Sequence, residues 1–310
     1  MNIAHTFRFR NRRGEWFFLL VLVLTGMLFS LLAGYLVGYL IWGKEIAQMS
    51  TQLVQTDPRP AVIGFLKTLQ LINHAGTFLI PALVFRFLID QPPVWAVEHS
   101  RKSTYIWLLL ITAINFSISP FISFSQEINE LMKLPDLLAP VESWMKSLEA
   151  RANTITESFL TKTSTGGLVA NLFIMAVLPG IGEELLFRGI VQPRLATIFK
   201  NHHVAIGVTA LIFSAMHLQF YGFFPRFILG MLFGYFFYWT KNLWTAVWAH
   251  LVNNGTAVVI AYLEDKKLSG INYQDFGQTS LPILIITLLT TAILIFGVHR
   301  FSPTNSAATR

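Results

Sequence analysis

The run WFFLLVLVLTGMLFSLLAGYLVGYLIW, residues 16–42, constrains this chain more than any other stretch. It carries no charge, and it exceeds the roughly 17–25 residues that a helix needs to cross a bilayer. It is too long for the apolar core of a secretory signal, and no small-residue cleavage site follows it, so it reads as a retained membrane helix. Composition agrees. Of 310 residues, 54% are hydrophobic and 13% charged, whereas a soluble domain carries about 25% charged residues.

Seven further apolar runs follow: 61–88 (interrupted by Lys67 and His74), 105–124, one from 167 that ends on Glu183 and Glu184, then 203–220, 224–239, 243–263 and 281–298. The expected fold is an all-α polytopic membrane protein, a single integral membrane domain over 1–310. It is a bundle of about eight transmembrane helices, with seven as the nearest alternative. With eight crossings, Arg8, Arg10, Arg12, Arg13, Arg86, Arg101, Lys102, Arg194, Lys200, Lys241 and Arg300 all fall on one side. Positive residues mark the cytoplasmic side, so both termini are expected there. The net charge of +7 is spread over these connections rather than gathered in one patch, which argues against a nucleic-acid partner. The absence of cysteine excludes disulfides, thiolate catalysis and thiolate metal ligands.

The connection 125–163 is long for a loop without structure of its own. Val141, Trp144, Met145 and Leu148 recur at helical spacing, which predicts an extra amphipathic helix between the third and fourth spans, lying over the outer ends of the bundle. Pro135 and Pro140 divide it into a short lead-in and a longer helix.

Ionised side chains at membrane depth are costly, so those inside the apolar runs carry the functional reading. Pro179, Gly180 and Gly182 permit a bend just before Glu183. Adjacent helical residues point about 100° apart, so Glu183 and Glu184 cannot share a role. Glu184 and Arg188 are four apart and form an ion pair on one face. Glu183 is then the carboxylate without an assigned partner, unless both acids only cap and clamp helix ends. Phe213 and His217 are also four apart, as are His250 and Asn254. A lone buried histidine is often a packing residue, yet the three segments together hold the parts of a hydrolytic site. Glutamate or histidine can take a proton from water, while a second histidine and an amide can donate to a developing oxyanion. Ser214 lies near His217 without the strand–turn–helix elbow of a serine nucleophile. Two histidines and a glutamate are plausible zinc ligands, but no HExxH spacing is present, so a metal stays open. Phe220, Tyr221, Phe223 and Phe224 anchor a turn or line a substrate entrance.

EELLFR at 183–188 resembles the EExxxR motif of the CAAX protease and bacteriocin-processing (CPBP) intramembrane proteases, which include the eukaryotic CAAX prenyl endopeptidases. FSAMH at 213–217 is similar to the family's FxxxH motif and HLVNN at 250–254 to its HxxxN motif. The resemblance covers roughly 165–262. It implies an intramembrane endopeptidase in which Glu183, assisted by His217, activates water, while His250 and Asn254 stabilise the oxyanion. Glu184 and Arg188 are supports, and Phe213 shapes the cavity. It implies metal-free hydrolysis without a cofactor, with a zinc-dependent use of the same residues as the alternative. The expected partner is a membrane-associated peptide or protein substrate, in the inner membrane of a bacterium. Two other readings stand beside this one: a non-enzymatic bacteriocin-immunity or scaffold protein, and a transporter, for which no inverted repeat is visible.

Overall fold

The computed structural model describes residues 12–46, 59–89, 101–161, 163–270, 272–273 and 275–304. Arg8 and Arg10, two of the predicted orientation charges, lie outside them. Every predicted apolar run contains a helix, and no strand occurs among the described residues. The helices are α1 (Arg12–Trp42), α2 (Pro60–Ile89), α3 (Arg101–Glu130), α4 (Ala139–Leu160), α5 (Thr165–Phe199), α6 (His202–Ala215), α7 (Phe223–Thr240), α8 (Leu243–Asp265) and α9 (Leu281–Arg300). Six of them, α1, α2, α3, α5, α8 and α9, are long and apolar enough to cross a membrane. The chain is therefore an all-α, multi-pass membrane helix bundle.

α6 differs from its expected length. The apolar run extends to Phe220, but the helix stops at Ala215 and the chain turns through Leu218 with φ +53°, a left-handed conformation. Fourteen residues at 1.5 Å each give about 21 Å, less than the ~30 Å of a hydrocarbon core. His217 consequently sits on a turn inside the bundle rather than on a helix face.

Long-range contacts sort into two ends. At one, Arg194 Nε meets Glu15 Oε2 at 3.1 Å, Arg86 Nη1 donates to Gly189 O at 3.3 Å, and Thr304 Oγ1 donates to Tyr238 O at 2.9 Å. At the other, the N–H of Tyr221 donates to Glu149 Oε2 at 2.8 Å, that of Thr163 to Asp265 Oδ2 at 3.1 Å, and Ser123 Oγ to Phe276 O at 2.9 Å. α4 belongs to this second end. A 3₁₀ turn, Asp136–Leu138, leads into it, as the two prolines predicted.

Packing between α1 and α2 depends on small residues four apart, Gly26, Ser30, Gly34 and Gly38. A Cβ on Gly26 would run into Gly76 O, and one on Gly34 would meet Leu69. Such small-residue seams let membrane helices approach closely where lipid gives no hydrophobic drive. Ser30 Oγ donates to Asn73 Oδ1 at 3.1 Å across this seam and fixes the rotation of α2. The opposite face of α1, with Phe17, Phe29 and Leu40, is exposed, as a lipid-facing surface requires. One core cluster gathers Phe85, Leu185, Leu186, Phe187, Ile190, Phe213 and Leu243; another gathers Ile111, Ile114, Phe233, Phe236, Ala246 and Val298. The polar site lies where α2, α5, α7 and α8 face one another.

The helices are interrupted by π turns rather than broken. One occupies Ala75–Leu79 in α2, and two occupy Phe173–Val177 and Phe187–Val191 in α5. Pro179, Gly180 and Gly182 lie within a regular α segment, Leu178–Leu186, so the expected bend is replaced by a widened turn on each side. π turns gather at functional sites because they shift side chains and free carbonyls locally.

Candidate active site

Glu183 and Glu184 separate as their spacing requires. Glu184 points into protein and is fully buried, and its Oε1 accepts from Arg188 Nη1 at 2.8 Å and bonds His250 Nδ1 at 2.9 Å. Arg188, also fully buried, sends Nη2 to Gly230 O at 2.8 Å. Its guanidinium lies 5.0 Å from the Phe213 ring centroid and 5.6 Å from that of Phe233. The predicted pair is thus a three-helix junction joining α5, α7 and α8. The bond from Glu184 to His250 lies outside what spacing alone could give, because it joins residues 66 apart.

A carboxylate only accepts, so Nδ1 of His250 carries a proton and Nε2 is the nitrogen left for chemistry. His250 is held further by stacking on Phe233, with centroids 5.2 Å apart at 24°. His217 follows the same logic: Nδ1 donates to Phe213 O at 2.9 Å, which leaves Nε2 as a proton acceptor. Phe213 stands edge-on to both rings, at 5.1 Å from His217 and 5.9 Å from His250.

Asn254 does more than face the cavity. Pro179 has no N–H to offer the carbonyl four residues back, Met175 O. Asn254 Nδ2 donates to that carbonyl at 3.0 Å, and Oδ1 accepts from Asn253 Nδ2 at 3.0 Å. One of its two amide protons remains for a ligand.

Glu183, His217, His250 and Asn254 line one cavity of about 650 Å³, together with His74 and Arg226. No hydrogen bond or ion pair joins His217 to Glu183; the basic group within ion-pair distance of the Glu183 carboxylate is His74, with Nε2 3.6 Å from Oε1. His74 was visible in the sequence only as a polar interruption of an apolar run. Arg226, the cation of the cavity wall, donates through Nη2 to Gln219 Oε1 at 2.6 Å. Ser214 is no nucleophile in this arrangement, since its hydroxyl donates to Phe223 O at 2.6 Å. Among the described residues no group of three histidine or acidic side chains is placed to hold a metal ion, and the oxygen bonds at Nδ1 of His217 and His250 leave Nε2 of each ring facing the chemistry.

Comparison with known proteins falls on the same part of the chain. Residues 165–256 match the family model of the type II CAAX prenyl endopeptidase Rce1-like proteins. The membrane-embedded CAAX protease MroQ of Staphylococcus aureus (strain USA300) is 26% identical over 102 residues, 31% of this chain and 41% of MroQ. The uncharacterized protein YpbD of Bacillus subtilis (strain 168) is 26% identical over 116 residues, 36% of this chain and 54% of YpbD. The chain thus spans about half or less of these two relatives. No solved structure matches. The matched segment contains Glu183, Glu184, Arg188, Phe213, His217, His250 and Asn254, and ends before the last turns of α8.

Proposed function

We propose that this chain is a member of the Rce1-like CAAX-protease family, whose model matches residues 165–256, and on that premise an intramembrane endopeptidase acting on a membrane-associated or hydrophobic peptide. The observation that carries the reading is the common cavity: a carboxylate, two histidines and an amide from α5, the turn after α6, and α8 face one space of about 650 Å³. A polar cavity of this kind between membrane helices can admit water and a peptide bond. Eight crossings with cytoplasmic termini fit the sorting of contacts into two ends, with α6 and α7 as the short pair.

In the proposed reaction Glu183 takes a proton from water as the water oxygen bonds to the peptide carbonyl carbon. The carbonyl π pair moves onto oxygen. That oxyanion receives hydrogen bonds from Nε2–H of His250, protonated on both nitrogens beside Glu184, and from the free amide proton of Asn254. Collapse breaks the C–N bond, and the proton held by Glu183 passes to the departing nitrogen, giving a carboxylate and an amine. Nε2 of His217 accepts a hydrogen bond from the water and orients it.

The test is hydrolysis of a membrane-peptide library by the full chain in lipid nanodiscs, with wild type, Glu183→Gln and a verified metal-free sample compared. Loss of a general base lowers turnover by about 10²–10⁴. Glu183→Gln should therefore abolish measurable cleavage, while metal removal leaves it intact. Metal-dependent cleavage would replace the mechanism. A folded wild type that cleaves nothing, with a Glu183→Gln variant that retains the biological effect, would favour the non-enzymatic immunity or scaffold reading.

A further inference from the structure

We propose that His74, on α2 and outside the segment matched by the family model, is the positioning partner of Glu183; this rests on the protease reading above. Its Nε2 stands 3.6 Å from Glu183 Oε1, and the two side chains are only 11% and 7% exposed. Both line the same cavity. His74 Nε2 is buried without a hydrogen-bond partner, and so is the other carboxylate oxygen, Glu183 Oε2. A packing histidine would have both ring nitrogens engaged or in solvent, because an unpaired buried donor costs free energy. Here the unpaired nitrogen is aimed at Glu183, the only carboxylate among the residues that line the cavity.

The surrounding structure is built to keep it there. The neighbouring Asn73 accepts from Ser30 across the α1–α2 seam, and Gly26 meets Gly76 so closely that a Cβ would clash. The π turn Ala75–Leu79 begins at the next residue and re-aims the end of the preceding helix. On the other side, Gly182 directly precedes Glu183, and a Cβ there would lie 3.4 Å from Leu79 N and from Phe78 Cβ. α2 and α5 therefore touch one residue from the carboxylate. Phe78 also packs on the imidazole, with centroids 4.7 Å apart. With Nε2–H closing on Oε1, His74 holds Glu183 in one rotamer and leaves Oε2 free to receive the proton of water. The N-terminal half of the chain then supplies part of the reactive centre.

The experiment compares kcat and KM of wild type, His74→Phe, His74→Gln and Glu183→Gln on a peptide cleaved in the nanodisc library. Phenylalanine preserves bulk without a donor, whereas glutamine places an N–H near the Nε2 position. Losing a donor to a charged acceptor should lower kcat about 10- to 100-fold in His74→Phe with KM nearly unchanged, and His74→Gln should recover most of it. A merely structural role would leave both variants equally impaired, and that result, or full activity in His74→Phe while Glu183→Gln is inactive, overturns the inference alone. A wild type that cleaves nothing overturns it together with the protease reading. The chain has no cysteine, so the contact is also tested without activity. His74→Cys combined with Glu183→Cys should be bridged by dibromobimane and become fluorescent, and neither single variant should. Absence of the bridge in the folded double variant overturns the juxtaposition itself.

Discussion

Replacing Arg188 with methionine tests the electrostatic centre of the bundle. The guanidinium and the Glu184 carboxylate are both fully buried, joined at 2.8 Å, and the second guanidinium nitrogen caps Gly230 O at 2.8 Å. Methionine fills much of the same space but leaves Glu184 with His250 as its remaining partner and takes from Gly230 O its side-chain donor. Removing one partner of a buried pair typically costs about 3–5 kcal/mol, because the other charge stays behind unpaired. For 310 residues, an unfolding entropy near 2.1 cal/mol/K per residue converts this into a fall in Tm of about 5–8 °C. The assay is thermal unfolding in nanodiscs followed by the fluorescence of the 8 tryptophans. Glu184→Gln/Arg188→Met, which removes both charges, should be more stable than the sum of its single variants by about 2 kcal/mol or more, as coupled neighbours are. A Tm for Arg188→Met within 1 °C of wild type, or strict additivity in the double variant, would refute the buried junction.

Three further outcomes follow from the geometry. Asn254→Leu removes the donor to Met175 O; an unpaired buried carbonyl costs about 1–3 kcal/mol, so Tm and kcat should both fall, whereas Asn253→Ala should lower them less. Gly26→Val drives a side chain into Gly76 O; overpacking of this kind costs about 1–3 kcal/mol, and cleavage should weaken with it through displacement of α2. The third concerns pH at α4. The hydrogen bond from Lys146, aided by the N–H of Leu134, holds the Glu142 carboxyl below its ordinary value. A depressed carboxylate stabilises the fold above the unfolded value of about 4.3 and loses that contribution as pH falls below it. Amide exchange in α4, corrected for intrinsic rates, should therefore quicken below about pH 4.3, and Glu142→Gln should show the quicker exchange already at neutral pH.

The sequence made the helices legible because lipid permits few alternatives: an uncharged run of this length must satisfy its own backbone, and apolar content alone marked the helical runs. It made the α5 junction half legible. Glu184 and Arg188 are four apart, so their pair follows from helix geometry, but the bond to His250 depends on how α8 rotates against α5. The pairing of Glu183 was illegible for the same reason. Its basic neighbour, His74, is 109 positions upstream, and what brings them together is a seam of glycines whose partners spacing does not name. The early end of α6 was hidden because Met216, Leu218 and Phe220 keep the run apolar, while the left-handed turn at Leu218 carries no glycine to announce it. Pro179 pointed to a disturbance in α5 without giving its form; the widened turn with a side-chain donor from α8 replaces the anticipated bend.

Those widened turns change what kinds of heritable lesion α5 can survive. Removing one residue from a regular membrane helix rotates everything beyond it by about 100°, which would turn Glu183 away from the cavity and break the junction behind it. Within 173–177 or 187–191 the helix already carries one residue more than an α turn needs. A single deletion there can be absorbed by restoring regular geometry, with both flanking faces kept in place. What disappears is the carbonyl that Asn254 or Arg86 grips. Length variation at these two turns is thus a way to edit the grip between helices while leaving their order and orientation intact, a route that substitution of side chains does not offer.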